Sequence, residues 1–388
     1  MVTEQNQIYI VGGGIAGLSA AVFAIRDGNI AGKSIHIFES LKVLGGALDA
    51  KVVRKKNYSM RGARLINKQA YQCYFDMLSA IPCLAEQEEL EKGKYKGTYS
   101  ANYRPKKSLK DEIFEFNKTH KLNTTTRLVG KQGARIDHTK LRLSKLDRLQ
   151  IIALIFISEK YIDGKRIDEF FPASFFKSNF WYLFASMFGF EPWHSLIECK
   201  RYIQRFFHEA QNISTLKGGW NTPYNHFESI VMPIEKWLLS QGVDIQTDIK
   251  ITDVDFKPSS TSKTVETIHL LKNGKKREIP VKNNDSVFIT IGSKVANSHQ
   301  GSMNKPPELT ASNRDVDWSL WEKIANKVPD MGNPAAFCRN VDQTKWVVFT
   351  ITTKGPMLAK KIKNYSRVKV QGEQHILSCV DSNWGLGI

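Results

Sequence analysis

Residues 8–39 read IYIVGGGIAGLSAAVFAIRDGNIAGKSIHIFE. The apolar run Ile8 to Val11 predicts a strand. It enters Gly12-Gly13-Gly14-Ile15-Ala16-Gly17, and a helical run, Leu18 to Arg26, follows. A second apolar strand, Ser34 to Phe38, ends in Glu39. Glycine-rich turns alone are common. Strand, three spaced glycines, helix, strand and a terminal acid together form the dinucleotide fingerprint. Gly12 permits the tight turn, Gly14 lets a pyrophosphate approach the backbone, and Gly17 lets the helix pack on the sheet. The helix N-terminus offers its free N–H groups to the phosphates. Glu39 lies 22 residues after Gly17, in reach of the ribose hydroxyls.

FAD is expected rather than NAD. Gly45-Gly46 follows the ribose acid closely, as suits the backbone passing the flavin end of an extended cofactor. Asp285 to Ser293 reads as a late strand returning to the same sheet and ending in a small-residue turn. The cofactor set expected is Gly12, Gly14, Gly17, Glu39, Gly45, Gly46, Arg61, Gly62, Val243, Thr290 and Gly292. No metal site is expected.

A chain of 388 residues is long enough to bury a large core in two domains. The five cysteines form no CxxC pair and read as reduced, structural thiols of an intracellular protein. MVTEQNQ is neither a signal nor a transit peptide. No apolar run approaches the roughly 20 residues that span a bilayer. A cytoplasmic chain follows, with peripheral membrane attachment left open.

The net charge is +18, with the excess concentrated between Arg104 and Arg148. It fits an anionic membrane surface or a plain solvated face. No helix-turn-helix, zinc finger or RNP pattern appears, so nucleic acid is not expected. A homodimer is left open.

The fold class expected is α/β: a Rossmann-like, doubly wound FAD domain of the GR2 type, with an inserted, mostly helical substrate domain. The boundaries read as 1–90 for the first part of the FAD domain and 91–145 for a basic, irregular insert. Residues 146–240 form the helical domain, and 241–388 return to the FAD sheet and begin a further, incomplete region. Within 1–90, residues 57–84 read as a helix ended by Pro82. Residues 170–193 hold eleven aromatics in 24 positions, with only Lys177 and Glu191 charged. They read as a buried cap helix or as the wall of a pocket for a long apolar substrate, and Trp181 and Phe184 are the wall candidates.

The chain resembles the oleate hydratases, also called myosin-cross-reactive antigen proteins. The segments that carry the resemblance are IYIVGGGIAGLSAAVFAIRDG (8–28), IHIFESLKVLGGALDA (35–50), MRGAR (60–64), KRIDEFFPASFFKSNFW (165–181), MFGFEPWHS (187–195) and VFITIGS (287–293). It implies a FAD protein that adds water across the cis-9 double bond of unsaturated long-chain fatty acids, giving 10-hydroxy acids without net redox change. In Lys200-Arg201-Tyr202-Ile203-Gln204-Arg205-Phe206, Tyr202 matches the tyrosine thought to protonate the alkene.

The departures are specific. Leu65 stands where that family has a water-activating Glu, and Ala63 stands in place of a Gly. His226 stands at a substrate-side Gln. Members of that family also run well past the length of this chain, so a truncated product, a fragment or a degenerate paralogue is expected. Two other functions remain in view: a catalytically impaired FAD- and lipid-binding paralogue, and a FAD-dependent oxidoreductase.

Overall fold

The computed structural model describes residues 6–48, 50–52, 58–60, 64–91, 104–122, 128–210, 212–259, 262–292, 299, 301–302, 304–307, 316–328, 330–338, 354–366 and 377–381. The chain forms two compact units. One contains residues 1–64, 71–118 and 221–341, and the other 65–70, 119–220 and 342–388.

The first unit is built on a parallel sheet. Strands β1 (Ile8–Val11), β2 (Ile35–Phe38), β3 (Asp244–Gln246) and β7 (Ser286–Ile289) lie in the order β7-β1-β2-β3. This is the nucleotide-binding order, in which the fourth strand pairs on the far side of the first. All four residues of β1 are buried, as expected of a parallel strand covered on both faces.

Helix α1 (Ile15–Arg26) covers one face. It turns Leu18, Ala21, Val22 and Ile25 inward at helical spacing. Helix α7 (Met232–Ser240) packs beside it, burying Ile234, Trp237 and Leu238. The other face carries an antiparallel meander, β4 (Ile249–Phe256), β5 (Val265–Lys272) and β6 (Lys275–Pro280), with helix α8 (Val316–Lys327). Tyr9, Val11 and Phe38 share a core there with Val254, Ile268, Leu320 and Ile324. The β5–β6 hairpin closes on Asn273 and Gly274, both at positive φ, the two-residue turn that Asn-Gly favours.

Three expectations are corrected. Residues 57–84 are not one helix. Tyr58–Met60 pairs antiparallel with Ala50–Val52, and Ile66–Asn67 pairs with Gly219–Trp220. Helix α2 begins only at Gln72 and runs to Ser79, where apolar spacing begins. The stretch 91–145 is not wholly irregular: helix α3 (Leu109–Thr119) buries Leu109, Ile113 and Asn117 at four-residue spacing. Residues 221–240 belong with the first unit, because α7 covers its sheet.

In the second unit, helices α4 (Lys145–Phe156), α5 (Asn179–Phe188) and α6 (Leu196–Phe206) surround one aromatic core. Each begins on a serine. Ser144 and Asp147 form a reciprocal capping box on α4, Ser178 Oγ accepts from Trp181 N at 3.1 Å, and Ser195 Oγ accepts from Glu198 N at 3.4 Å. Gly189 ends α5 in the left-handed conformation.

The aromatic stretch 170–193 is therefore one short 3-10 turn, Phe175–Lys177, and one helix, Asn179–Phe188, rather than a single helix. Phe171 stacks on Phe175 at 4.0 Å, and Phe184 stacks on both Phe180 and Phe190. Each such pair adds about 1 kcal/mol beyond the area it buries. Among the described residues, no helix is long and apolar enough to cross a membrane.

Candidate functional site

The carboxyl ends of β1, β2 and β7 converge on one turn. Gly12 leaves β1 at φ +104°, which an L side chain rarely adopts, and its N–H donates to Phe38 O at 2.9 Å. A Cβ on Gly17 would lie 2.0 Å from Gly12 O, so only glycine lets α1 approach the strand. A Cβ on Gly14 would meet only Gly46 Cα, at 3.8 Å.

Gly14 is also the N-cap of α1. No side chain caps it, and no acid stands in the first turn. With no side-chain cap, the first-turn N–H groups can take a pyrophosphate.

Glu39 is buried beside this turn. Its Oε2 accepts from Gly13 N at 2.8 Å, and its Oε1 accepts from Leu41 N at 2.9 Å. Ser40 Oγ also donates to Oε1, at 3.2 Å; a carboxylate has about four acceptor positions, so capacity remains for a ribose hydroxyl. Thr290, just past β7, ties the third strand in. Its N–H and Oγ1 both donate to Val11 O, and Oγ1 also donates to Gly12 O at 3.2 Å. Gly292 lies against Trp321 and Trp318.

The Gly45-Gly46 pair meets the glycine turn itself: Gly45 N donates to Gly13 O at 2.9 Å, and Gly14 and Gly45 form a parallel bridge. Arg61 and Gly62 lie outside the described residues.

Val243 does not join this group. It precedes β3, at the opposite end of the sheet from the turn, and its side chain is buried. Two segments further on, the chain returns: Ile249 N donates to Glu39 O at 2.9 Å and Asp248 N to Leu41 O at 3.1 Å. The parallel direction of β3 decides that its carboxyl end, followed by Asp248 at φ +57°, meets the backbone of Glu39.

His226, also in the first unit, is held near Arg64. Burial and then the Arg64 charge push its pKa down, against a backbone hydrogen bond to Arg64 that raises it. It is therefore neutral near pH 7.

In the second unit, Tyr202 is half-buried on α6, with its ring edge-on to Phe188 and Phe190 and tilted to Phe206. Trp181 and Phe184 are fully inside the same core. Leu65 is half-buried, and a Cβ on Gly219 would lie 3.0 Å from its Cδ1. Two residues on, Asn67 donates to Glu209 Oε1 at 2.7 Å, and Asn212 donates to Glu209 Oε2 at 2.9 Å.

The model of the MCRA family matches residues 5–388. The chain belongs to the MCRA family. This MCRA chain is 35% identical, over 98% of its length, to a protein named oleate hydratase from Streptococcus pyogenes serotype M49 (strain NZ131). It is 27% identical, over 92% of its length, to one named linoleate hydratase from Lactiplantibacillus plantarum. It spans only 62% and 63% of those two proteins. An oxidoreductase of known structure from Methanosarcina mazei superposes with a TM-score of 0.40 at 14% identity, covering 74% of this chain and 60% of that one. That likeness is too remote to inform the MCRA chain's chemistry.

Proposed function

We propose that this chain is a FAD-dependent fatty acid hydratase that adds water across the cis-9 double bond of oleate-like acids to give 10-hydroxy acids. The observation that carries the reading is 35% identity with an oleate hydratase across 98% of this chain. The glycine turn supports the cofactor. Gly12, Gly14, Gly17 and Glu39 hold the ADP half, Thr290, Gly45 and Gly46 shape the turn around it, and Gly292 lies toward the flavin; Arg61 and Gly62 are assigned to the flavin end from the sequence alone. When bound, the flavin sets the shape and charge of the site without net redox change.

Hydration of an isolated alkene needs an acid at one carbon and a water over the other. Tyr202 gives its phenolic proton to C9 as the π bond breaks. Water forms the new C–O bond at C10, loses a proton and so restores the tyrosine. The aromatic core around Trp181 and Phe184 supports the apolar wall on which the acyl chain lies; His226 is assigned to the substrate from the sequence alone.

A second reading rests on one residue. Leu65 has no group to take the proton of water. This favours a FAD- and fatty-acid-binding protein with weak or no turnover.

The test is to reconstitute the purified chain with FAD and look for 10-hydroxystearate from oleate by mass spectrometry, with Tyr202→Phe alongside. Product that vanishes in the variant supports the hydratase. FAD and oleate bound without product supports the binding protein. A chain that takes up no FAD rejects both.

A further inference from the structure

Helix α4 is apolar on two sides. Leu154 is fully buried, and Ile151 and Ile155 pack on the aromatic core. On the opposite side Leu146, Leu149, Ile152 and Phe156 are 57%, 63%, 49% and 82% exposed. At about 100° per residue, Ile152, Phe156, Leu149 and Leu146 follow one another around a single arc. Arg148 stands at its edge and Lys145 at its N-terminal end. A contiguous apolar stripe on a capped, well-packed helix is unusual for a face that meets only water.

The charges around the stripe have one sign. The helix's one carboxylate, Asp147, is buried in the capping box, where it accepts from Ser144 N at 2.8 Å. Lys140 and Arg142 precede the helix and Lys160 follows it, all exposed. Glu159, just beyond the end, is neutralised by Arg201 at 2.7 Å. The exposed Asp163 lies past the helix end, next to Lys165.

We propose that this face of α4 seats the chain on an anionic phospholipid bilayer. The four apolar side chains enter the acyl boundary while Arg148, Lys145, Lys140 and Arg142 meet lipid phosphates. An exposed apolar stripe edged by Lys and Arg is the composition of helices that lie in the membrane interface. Charge decides against a second copy of this chain as the occupant, because pairing the stripe with itself brings two basic rims together. The inference does not depend on the hydratase reading, since lipid binding is read without turnover.

The test is cosedimentation of the full chain with phosphatidylcholine vesicles, with and without phosphatidylglycerol. It is repeated for Leu149→Glu/Phe156→Glu and for Arg148→Gln/Lys145→Gln. These positions are exposed, so circular dichroism should be unchanged. The expected result is binding to the phosphatidylglycerol vesicles that falls about tenfold or more in each variant. A Phe156→Trp reporter should shift to the blue on the same vesicles. Vesicle binding that neither variant alters would overturn the proposal. So would no vesicle binding at all, or a wild-type dimer that Leu149→Glu/Phe156→Glu converts to monomer without any lipid effect.

Discussion

Glu39, at the end of β2, reaches across to the N–H of Gly13 at 2.8 Å, so the acid proposed for the ribose and the glycine turn are one hydrogen-bonded unit. Glu39→Ala leaves two backbone donors, Gly13 N–H and Leu41 N–H, without their acceptor. The expected cost is about 1–3 kcal/mol of stability. FAD affinity should fall by about tenfold or more. Titration by flavin fluorescence and a urea melt measure the two effects separately. Unchanged FAD affinity would remove Glu39 from the cofactor set.

Gly17→Ala is expected to be more damaging than its single methyl suggests. The new Cβ meets a backbone oxygen, Gly12 O, at 2.0 Å, and no side-chain rotation relieves it. Displacing α1 from β1 should cost about 3 kcal/mol and abolish FAD retention. Gly274→Ala serves as the comparison: its φ is also positive, but nothing lies near its Cβ. It should lose stability from backbone strain alone and keep its FAD.

Tyr202→Phe keeps the ring that packs on Phe188, Phe190 and Phe206. Stability should change by less than about 1.5 kcal/mol. Hydration, on the proposed mechanism, should fall by about 10²–10⁴. Leu65→Glu is the converse experiment. A carboxylate restored at that position should raise kcat, with little effect on FAD content. Product yields from oleate for both variants, beside the wild type, settle the roles assigned to them.

The lowered pKa of His226 gives a pH dependence of known sign. Its ordinary value is 6.5, and burial holds the folded value below that. Above pH 6.5 both states are neutral and the group contributes nothing. As pH falls below 6.5, the unfolded state takes up the proton first, so stability drops until the lower folded pKa is passed. His226→Gln should flatten this part of the curve. Urea melts at about pH 7.5 and about pH 5.5, run on both proteins, test it; parallel losses would show that other groups are responsible.

The parallel sheet was legible in the chain because its strands are short, continuous apolar runs bounded by glycines and an acid. Which end of a strand meets the turn was not legible, and Val243, expected in the cofactor set, stands at the far end of β3 from the turn. Helix α3 was hidden by its charge, since its buried face is only Leu109, Ile113 and the polar Asn117. Helix α4 was legible as a helix, but its outward stripe was not. A helix apolar on both sides gives no sign, before packing is known, of which side stays in solvent. Tyr202 was found only through resemblance; its aromatic surroundings are those of an ordinary core tyrosine.

The sheet order has a consequence for the order of assembly. β1 sits between β2, its near neighbour in the chain, and β7, which it meets across 278 residues from Gln7 to Asp285. The meander β4–β6, by contrast, is made of hairpins that close locally. Contacts at such separation form late, because a long loop must close before they contribute. During synthesis, the first strand and α1 therefore leave the ribosome with one side of the sheet unpaired. They stay that way until β7 emerges, after the entire helical stretch 119–220 has been made. The glycine turn, which Thr290 braces, is complete only then, and until that point the open edge of β1 is exposed to pairing with other chains.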